Sequence, residues 1–147
     1  MTFLSYDSIS EQDTANFAVQ CAKEAKKDDF FLLNGPLGAG KSLFARAFIQ
    51  YFTGKDTDVP SPTFTLIQTY STKKFEIWHF DLYRLEEPEE IFELGWEDAI
   101  GQNPLLIEWP ERLGHLKPAT YKQITITPTD DESRKIEFQH IKNGVPS

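Results

Sequence analysis

Residues 35–42 read Gly-Pro-Leu-Gly-Ala-Gly-Lys-Ser and match the pattern G-x-x-x-x-G-K-[ST] at every fixed position. Just before them, residues 29–34 (Asp-Phe-Phe-Leu-Leu-Asn) form a short apolar run that predicts a strand buried on both faces. Just after them, apolar residues recur at helical spacing from Lys41 to Phe52, and Gly54 is typical of a helix end. A glycine-rich loop between a strand and a helix is the setting in which this pattern binds phosphate groups.

The sequence of this loop predicts a binding site for ATP. Its glycines let the backbone approach a phosphate closely, and the N-terminus of the following helix adds partial positive charge. We expect Lys41 to reach the β- and γ-phosphates and the Ser42 hydroxyl to occupy one coordination position of Mg²⁺. The predicted nucleotide-binding residues of the loop are Leu37, Gly38, Ala39, Gly40, Lys41 and Ser42.

The rest of the sequence predicts several strands and few helices. Ser10 and Asp13 have the spacing of a helix N-terminus, before a periodic stretch from Thr14 to Lys27. Apolar or alternating segments predict strands at residues 64–71, 74–83, 104–107, 121–128 and 134–139, and a short helix is expected at residues 88–94. The predicted fold class is α/β. We expect a single P-loop NTPase-like domain over residues 1–142, with a mixed, partly antiparallel sheet and few flanking helices, and a frayed tail at residues 143–147.

The composition limits the classes of protein to which this chain can belong. With 147 residues, 39% of them hydrophobic, the chain is long enough for one core and too short for a second domain. The formal net charge of -8 disfavours direct binding to nucleic acid, because it would repel the phosphate backbone. No run approaches the roughly 20 apolar residues that span a bilayer, so we expect a cytoplasmic protein that does not bind membranes. The single cysteine, Cys21, is expected at a buried helical position.

Two carboxylates are candidates for a Mg²⁺ site beside the loop. Glu108 follows a short apolar run, where P-loop ATPases carry an acidic residue of the metal site; the alternative is a solvent-exposed carboxylate. Asp81 shares a predicted strand face with His79 and Tyr83, which would let it bind Mg²⁺ or orient the attacking water. The alternative for Asp81 is a local pair with Arg84 or His79. For His79 itself, a structural role is favoured over a catalytic one.

Thr63 is a candidate switch residue. It follows the semi-rigid segment Pro60-Ser61-Pro62. A switch threonine at such a position, roughly twenty residues beyond the loop, senses the γ-phosphate or Mg²⁺. The alternative is a β-branched residue that only begins a strand.

The segment from Glu86 to Asp98 is acidic and contains no Lys or Arg. A solvated helix face is the usual reason for such a run, and a docking surface for a basic partner is the alternative. The residues themselves leave both interpretations open.

Four motifs occur together in this chain, and their combination is more specific than the loop alone. They are Gly35-x-Leu37-Gly38-Ala39-Gly40-Lys41-Ser42, Ser61-Pro62-Thr63-Phe64, His79-Phe80-Asp81-Leu82-Tyr83-Arg84-Leu85 and Ile107-Glu108-Trp109-Pro110-Glu111. In this order they resemble the bacterial TsaE family, formerly YjeE, and with the flanking elements the resemblance covers nearly the whole chain. It implies a Mg²⁺-dependent ATPase, slow alone, that is required for N6-threonylcarbamoyladenosine (t6A) at position 37 of tRNA. It also implies docking on a heterodimer of TsaB and TsaD, with tRNA contacted only through that complex.

The resemblance also implies roles for individual residues. Ser42 and Glu108 match Mg²⁺ ligands, and Asp81 matches a metal-site or catalytic acid. Thr63 matches the switch-like threonine, so that the predicted catalytic residues are Lys41, Thr63, Asp81 and Glu108. Three further residues match family positions that approach the adenosine: Glu11, Thr14 and Arg134.

Two positions depart from the family pattern. Pro36 stands where the family often has a polar residue, and Ser42 replaces the more common Thr. Pro36 affects mainly the shape of the loop, and a serine hydroxyl can still bind Mg²⁺. We therefore expect nucleotide binding to survive both changes.

The residues leave three other functions open. A small-molecule kinase would position the γ-phosphate in the same way. It also needs a substrate-binding insert and an arginine-rich lid, and the arginines before the C-terminal strand are only Arg46, Arg84 and Arg112. A GTPase is suggested by Thr63 and by a D-x-x-G match at residues 98–101, although no Asn-Lys-x-Asp segment is present to recognise guanine. The third is a nucleotide-gated interaction module with negligible turnover of its own.

Overall fold

The computed structural model describes residues 3–146 of the chain. The strands are β1 (Phe3–Ser8), β2 (Phe30–Asn34), β3 (Ile67–Ser71), β4 (Glu76–Asp81), β5 (Leu105–Glu108), β6 (Tyr121–Pro128), β7 (Arg134–Lys142) and β8 (Val145–Pro146). The helices are α1 (Glu11–Lys23), α2 (Lys41–Thr53) and the short α3 (Trp96–Ala99), and two 3₁₀ segments span Pro88–Leu94 and Pro110–Leu116. None of these described helices is both long and apolar enough to cross a membrane.

The strands form one mixed sheet. Its order is β1-β7-β6-β2-β5-β4-β3, and β8 also pairs with β7. The four strands in the middle, β6, β2, β5 and β4, run parallel to one another. The flanking pairs β3–β4, β6–β7 and β1–β7 are antiparallel. The predicted α/β fold with a mixed, partly antiparallel sheet and few helices is therefore confirmed.

The parallel centre brings the carboxyl ends of three strands to one edge of the sheet. β2 ends at Asn34, directly before the glycine-rich loop. The pairing of β4 with β5 sets Asp81 opposite Glu108. Ligands of open α/β sheets usually bind beyond the carboxyl ends of the parallel strands. The loop and the two predicted acids thus share the edge at which such sheets bind ligands.

The sheet is covered on both faces. Helices α1 and α2 pack on one face, where Phe31, Phe44 and Phe48 are fully buried. The 3₁₀ segments and α3 cover the other face, where Ile91 and Trp96 pack against the strands. Burying one such side chain contributes about 1.5–3 kcal/mol. This packing holds β2 and α2 in place on either side of the loop.

The start of α1 lies where the sequence predicts it. Ser10 is the N-cap, and its Oγ accepts a hydrogen bond from the backbone N–H of Asp13 at 3.1 Å. The Asp13 carboxylate in turn accepts a hydrogen bond from the backbone N–H of Ile9 at 3.1 Å.

Cys21 is buried on this helix as predicted, and burial raises the pKa of its thiol to about 12.

The end of α1 differs from the prediction. The helix stops at Lys23 rather than at Lys27. The Asp29 carboxylate accepts a hydrogen bond from the backbone N–H of Lys26 at 2.9 Å, which draws the chain into a turn. Side chains of Asp compete with helical hydrogen bonds in this way.

Strand β3 begins later than predicted, at Ile67 instead of Phe64. Residues 63–65 form a turn, and the backbone N–H of Leu66 donates to the Pro62 carbonyl oxygen at 2.7 Å. Leu66 also has a φ of 68°, which an extended strand cannot accommodate. The alternative that Thr63 only begins a strand is therefore wrong.

Both ends of the described chain pair with strand β7, which the local sequence does not predict. Strand β1 pairs only with β7, which is distant in sequence, so no local hairpin signal marks it. At the other end, β8 pairs with Ile141 and Lys142, which differs from the expected fraying. Asn143 and Gly144 join these strands with φ of 52° and 81°. An Asn-Gly pair with positive φ is the signal of a tight hairpin turn. Residue 147 lies outside the described residues.

We predict that Gly35→Ala destabilises the junction between β2 and the loop. Gly35 has a φ of 153°, and a Cβ at this position would lie 2.5 Å from the carbonyl oxygen of Ile126. Because that neighbour is backbone in a paired strand, we expect the free energy of unfolding to fall by about 2–3 kcal/mol in urea titrations. The control is Gly54→Ala, since Gly54 has a φ of 106° but no atom of the described residues within 4 Å of a Cβ. Equal losses in both variants would contradict the close approach at Gly35.

Candidate functional site

The loop leaves the N-terminus of α2 open to a ligand. Gly38 and Gly40 have φ of 78° and 113°, which favours glycine. Gly40 is the N-cap of α2, and no side chain of residues 3–146 caps this helix, whereas Ser10 caps α1. The first backbone N–H groups of α2 are thus available to an anion, together with the positive end of the helix dipole.

Lys41 is buried at the base of the loop. It is 5% exposed, and its Nζ donates a hydrogen bond to the Gly35 carbonyl oxygen at 2.7 Å. The same Nζ lies 3.7 Å from the centre of the Trp109 ring. Burial lowers the pKa of Lys41, and nearby carboxylates, Glu108 first among them, act in the opposite direction. The Lys41 amine is therefore held against the loop by its hydrogen bond to the Gly35 carbonyl oxygen. A phosphate oxygen could replace this backbone acceptor.

A cavity of about 320 Å³ opens between the loop and the carboxyl ends of β4 and β5. We call it the phosphate-side cavity. The predicted site residues that line it are Leu37, Gly38, Gly40, Lys41, Ser42, Thr63, Asp81 and Glu108. They come from the loop, from α2, from the segment after α2 and from two strands, so the fold brings separate parts of the chain together here.

Asp81 is held by two hydrogen bonds at the end of β4. Its Oδ2 accepts from the Thr63 hydroxyl at 3.0 Å, and its Oδ1 accepts from the backbone N–H of Tyr83 at 3.0 Å. The guanidinium of Arg84, a possible local partner, lies instead over the Phe64 ring. Asp81 is 4% exposed, so this carboxylate is buried beside the switch candidate.

Thr63 belongs to a short chain of hydroxyl groups. Its Oγ1 lies 2.9 Å from the Ser61 Oγ as well as 3.0 Å from the Asp81 carboxylate. A hydroxyl has one proton, and Thr63 gives it to Asp81, so the Ser61 hydroxyl donates to Thr63. The sequence motif contains Ser61, but the motif alone does not show that it supports Thr63.

Glu108 is a buried carboxylate at the end of β5. It is 3% exposed, and its Oε2 lies 2.7 Å from Nε2 of His79. The alternative of a solvent-exposed acid at this position is therefore wrong. His79 is 1% exposed, as expected of a structural histidine. Its Nδ1, however, has no hydrogen-bond partner in the described part of the chain.

The acidic residues fit Mg²⁺ in combination with a nucleotide. Among residues 3–146, no group of three or more His, Cys, Asp or Glu side chains is placed to hold a metal ion. Asp81 and Glu108 instead offer two carboxylates beside the Ser42 hydroxyl in one cavity. Proteins usually bind Mg²⁺ through one or two carboxylates, waters and substrate phosphates rather than through a complete protein cage. This donor set is of that kind.

A second cavity of about 570 Å³ lies on the other side of the loop, and we call it the α1-side cavity. The predicted site residues that line it are Glu11, Thr14, Gly38, Ala39, Gly40 and Arg134. Gly38 and Gly40 border both cavities, so one extended ligand lying across the loop could reach both. Thr14 is buried, and Glu11 is exposed at the start of α1.

Arg134 anchors the loop from the α1-side cavity. Its Nε donates to the Ala39 carbonyl oxygen at 2.7 Å, and its Nη2 donates to the Gly38 carbonyl oxygen at 3.3 Å. Its Nη1 donates to the carbonyl oxygens of Asp130 and Ser133 in the turn between β6 and β7, at 3.0 and 2.9 Å. The guanidinium thus ties the loop to that turn. Sequence reasoning missed this role because the contact joins residues that are far apart in the chain.

Trp109 has an unusual backbone conformation next to the acidic residues. Its φ of 58° and ψ of 53° are left-handed, which is rare for a bulky residue and is often found at functional sites. Its ring lies beside Lys41 Nζ, and its centre is 4.9 Å from the centre of the Tyr83 ring. The strained residue therefore forms one wall of the phosphate-side cavity.

Comparisons with known proteins agree with one another. A family model described as threonylcarbamoyl adenosine biosynthesis protein TsaE matches residues 8–136. A Rickettsia bellii protein named tRNA threonylcarbamoyladenosine biosynthesis protein TsaE is 49% identical over 125 residues, which are 85% of this chain and 87% of that protein. The Bacillus subtilis protein of that name is 33% identical over 144 residues, which are 97% of this chain and 89% of that protein. The crystal structure of Bacillus subtilis YdiB is similar with a TM-score of 0.77 and 30% sequence identity, covering 97% of this chain and 89% of that chain.

We predict that Arg134→Gln loosens the glycine-rich loop. The substitution removes charged donors from the carbonyl oxygens of Ala39 and Gly38, and such hydrogen bonds contribute about 1.5–3 kcal/mol. Amide hydrogen exchange in the loop should therefore become about tenfold faster or more. The control is Arg46→Gln, because Arg46 is exposed on α2. Unchanged exchange in the Arg134 variant would show that the loop does not depend on this anchor.

Proposed function

Because the chain belongs to the TsaE family, we propose that it is an ATP-binding and ATP-hydrolysing accessory protein of tRNA N6-threonylcarbamoyladenosine (t6A) biosynthesis. One observation supports the ATPase part most strongly: Lys41, Asp81 and Glu108 border a single cavity together with the glycine-rich loop. A lysine, a hydroxyl and two carboxylates beside such a loop are the groups that Mg²⁺-dependent hydrolysis of ATP requires.

The loop would bind the triphosphate. The uncapped N-terminus of α2 offers backbone N–H groups to it. Lys41 would exchange its hydrogen bond to the Gly35 carbonyl oxygen for one to a phosphate oxygen, which carries more negative charge. Negative charge shifts among the phosphate oxygens during phosphoryl transfer. The contacts from the α2 N–H groups and from Lys41 would become more favourable at that point, so they would also support the reaction.

Asp81 and Thr63 would orient the attacking water. Both oxygens of Asp81 are held by hydrogen bonds, and a fixed acceptor is what the positioning of a water requires. Thr63 lies on the segment between α2 and β3, at the side of the phosphate-side cavity. If its hydroxyl turns to the γ-phosphate, Oδ2 of Asp81 becomes free to accept a hydrogen bond from water.

Ser42, Asp81 and Glu108 would hold Mg²⁺ together with the nucleotide. When bound, the ion would neutralise charge on the β- and γ-phosphates. Asp81 and Glu108 occupy paired register positions on β4 and β5, so the sheet itself sets the spacing of the protein ligands. Their burial limits competition from bulk water for the same oxygens.

The proposed site of action is a complex of TsaB and TsaD in the cytoplasm, with tRNA contacted only through that complex. Membership in the TsaE family supports a place in t6A biosynthesis, and these partners are part of the proposal. The net charge of -8 supports the indirect role, because an acidic protein repels the phosphates of tRNA.

A second candidate function is a nucleotide-gated interaction module with little turnover of its own. The side chains of Leu37, Phe64 and Tyr83 are large, apolar and 73%, 84% and 42% exposed. Leu37 lines the phosphate-side cavity, and the other two flank Thr63 and Asp81 in the chain. Apolar side chains exposed around a ligand site favour a partner that covers them. Binding of such a partner would then depend on the nucleotide.

We predict that Lys41→Ala weakens ATP binding by about 10- to 100-fold, because a hydrogen bond from a charged donor contributes about 1.5–3 kcal/mol. Glu108→Gln should leave ATP binding without Mg²⁺ unchanged and slow Mg²⁺-dependent hydrolysis by about tenfold or more. Calorimetry measures binding, and phosphate release measures hydrolysis. The control is Lys55→Ala, at an exposed lysine outside both cavities. Equal losses of affinity in the Lys41 and Glu108 variants would contradict their separate roles.

Reconstitution tests the role in t6A biosynthesis. With TsaB, TsaD and their substrates, repeated formation of t6A should require both this chain and ATP, and nucleoside mass spectrometry measures the product. Lys41→Ala should lower the yield by about tenfold or more, and Lys55→Ala should not. Undiminished t6A formation without this chain would overturn the proposed role. Equal rates of ATP hydrolysis with and without TsaB and TsaD would overturn the proposed dependence on partners.

A further inference from the structure

His79 contacts Glu108, one of the two acids that line the phosphate-side cavity. It is 1% exposed and lies on the same face of β4 as Asp81. The pairing of β4 with β5 sets His79 opposite Leu106 and diagonal to Glu108. Its Nε2 is 2.7 Å from Oε2 of Glu108. The register of two strands thus brings an imidazole to a carboxylate that borders the cavity.

The position of the ring proton follows from this contact. With the proton on Nδ1, Nε2 and the carboxylate oxygen would face each other as two acceptors. The Nδ1–H would also be buried without an acceptor in the described residues. With the proton on Nε2, the ring donates a strong hydrogen bond to the carboxylate. His79 therefore donates Nε2–H to Glu108.

This hydrogen bond occupies Oε2 of Glu108 and leaves Oε1 free to accept another contact. Among the hydrogen bonds of residues 3–146, the side chain of Glu108 takes part only in the one to His79, through Oε2. A Glu side chain loses rotamer entropy when it is fixed. His79 fixes it before any ligand arrives, so this loss does not oppose ligand binding.

We propose that His79 is a positioning residue that holds Glu108 through Nε2–H, so that the second carboxylate oxygen stays available to Mg²⁺ or its bound water. This inference rests on the proposed ATP- and Mg²⁺-binding function of the same cavity. Hydrogen-bond partners of metal-binding side chains orient those side chains, and their removal typically weakens metal binding by about 10- to 100-fold.

A role in packing alone would not require an imidazole at this position. Ile77, two residues earlier on the same face, and Leu106 on the paired strand are both apolar and fully buried. An apolar side chain at position 79 would bury no unpartnered nitrogen, whereas Nδ1 of His79 is such an atom. The chain retains this unfavourable group where it donates to Glu108, which favours a role at the site.

The test compares two substitutions of His79. His79→Leu removes the donor, and His79→Gln keeps an N–H group that can reach the place of Nε2. The control is His140→Leu, because His140 is on β7 and outside the phosphate-side cavity. Calorimetry measures ATP binding without Mg²⁺ and at a series of Mg²⁺ concentrations.

We expect His79→Leu to raise the Mg²⁺ concentration needed for half-maximal enhancement of ATP binding by about 10- to 100-fold. ATP affinity without Mg²⁺ should not change, and His79→Gln should restore most of the Mg²⁺ response. A normal Mg²⁺ response in His79→Leu would overturn the positioning role and leave the proposed function intact. If Mg²⁺ does not enhance ATP binding in the unsubstituted chain, the proposed function itself fails.

Nitrogen-15 NMR of the unsubstituted chain without nucleotide is an independent test, and it does not require His79→Leu to fold. We expect the His79 proton on Nε2 and an unprotonated Nδ1. Glu108→Gln should shift the His79 Nε2 signal and leave the signals of His115 and His140 unchanged. A proton on Nδ1 would overturn the proposal, and so would a His79 Nε2 signal that is unchanged in the Glu108→Gln variant.

Discussion

The parallel pairing of β4, β5 and β2 is the constraint on which the site depends. Its register sets Asp81 beside Glu108, and it places the end of β2 at the same edge of the sheet. A slip of β4 by one residue would turn all of its side chains to the opposite faces. The slip is unfavourable because Ile77 and Phe80 are buried in cores on opposite sides of the sheet. The apolar pattern of the strand therefore also determines where its acidic residue lies.

The glycine-rich loop is the shared wall of two cavities and is held from both sides. Lys41 donates to the Gly35 carbonyl oxygen on the phosphate side, and Arg134 donates to the Ala39 carbonyl oxygen on the α1 side. Backbone carbonyl oxygens of the loop are thus occupied by cationic side chains, while no side chain of residues 3–146 caps the N-terminus of α2. A loop organised in this way before binding would need little rearrangement to accept the proposed nucleotide.

The parts of the site that could be predicted from the sequence are those with a local pattern. The motif at residues 35–42, flanked by a strand and a helix, predicts the loop, and an apolar run predicts the strand before Glu108. The contacts of Thr63 with Asp81, and of His79 with Glu108, could not be predicted in the same way. They depend on how distant segments are paired, and no local pattern encodes that register. A resemblance to a family indicates which residues matter, but it does not identify the groups that hold them.

The most direct test of the proposed ATP-binding site is calorimetric titration of the unsubstituted chain with ATP and with GTP, each with and without Mg²⁺. We expect saturable binding of one ATP per chain, stronger with Mg²⁺, and little competition from GTP. Lys41 and the N-terminus of α2, which no side chain of residues 3–146 caps, would bind the phosphates, and the paired carboxylates would produce the Mg²⁺ response. The proposed site would be contradicted by an absence of saturable ATP binding, by an affinity for ATP that does not depend on Mg²⁺, or by a preference for GTP.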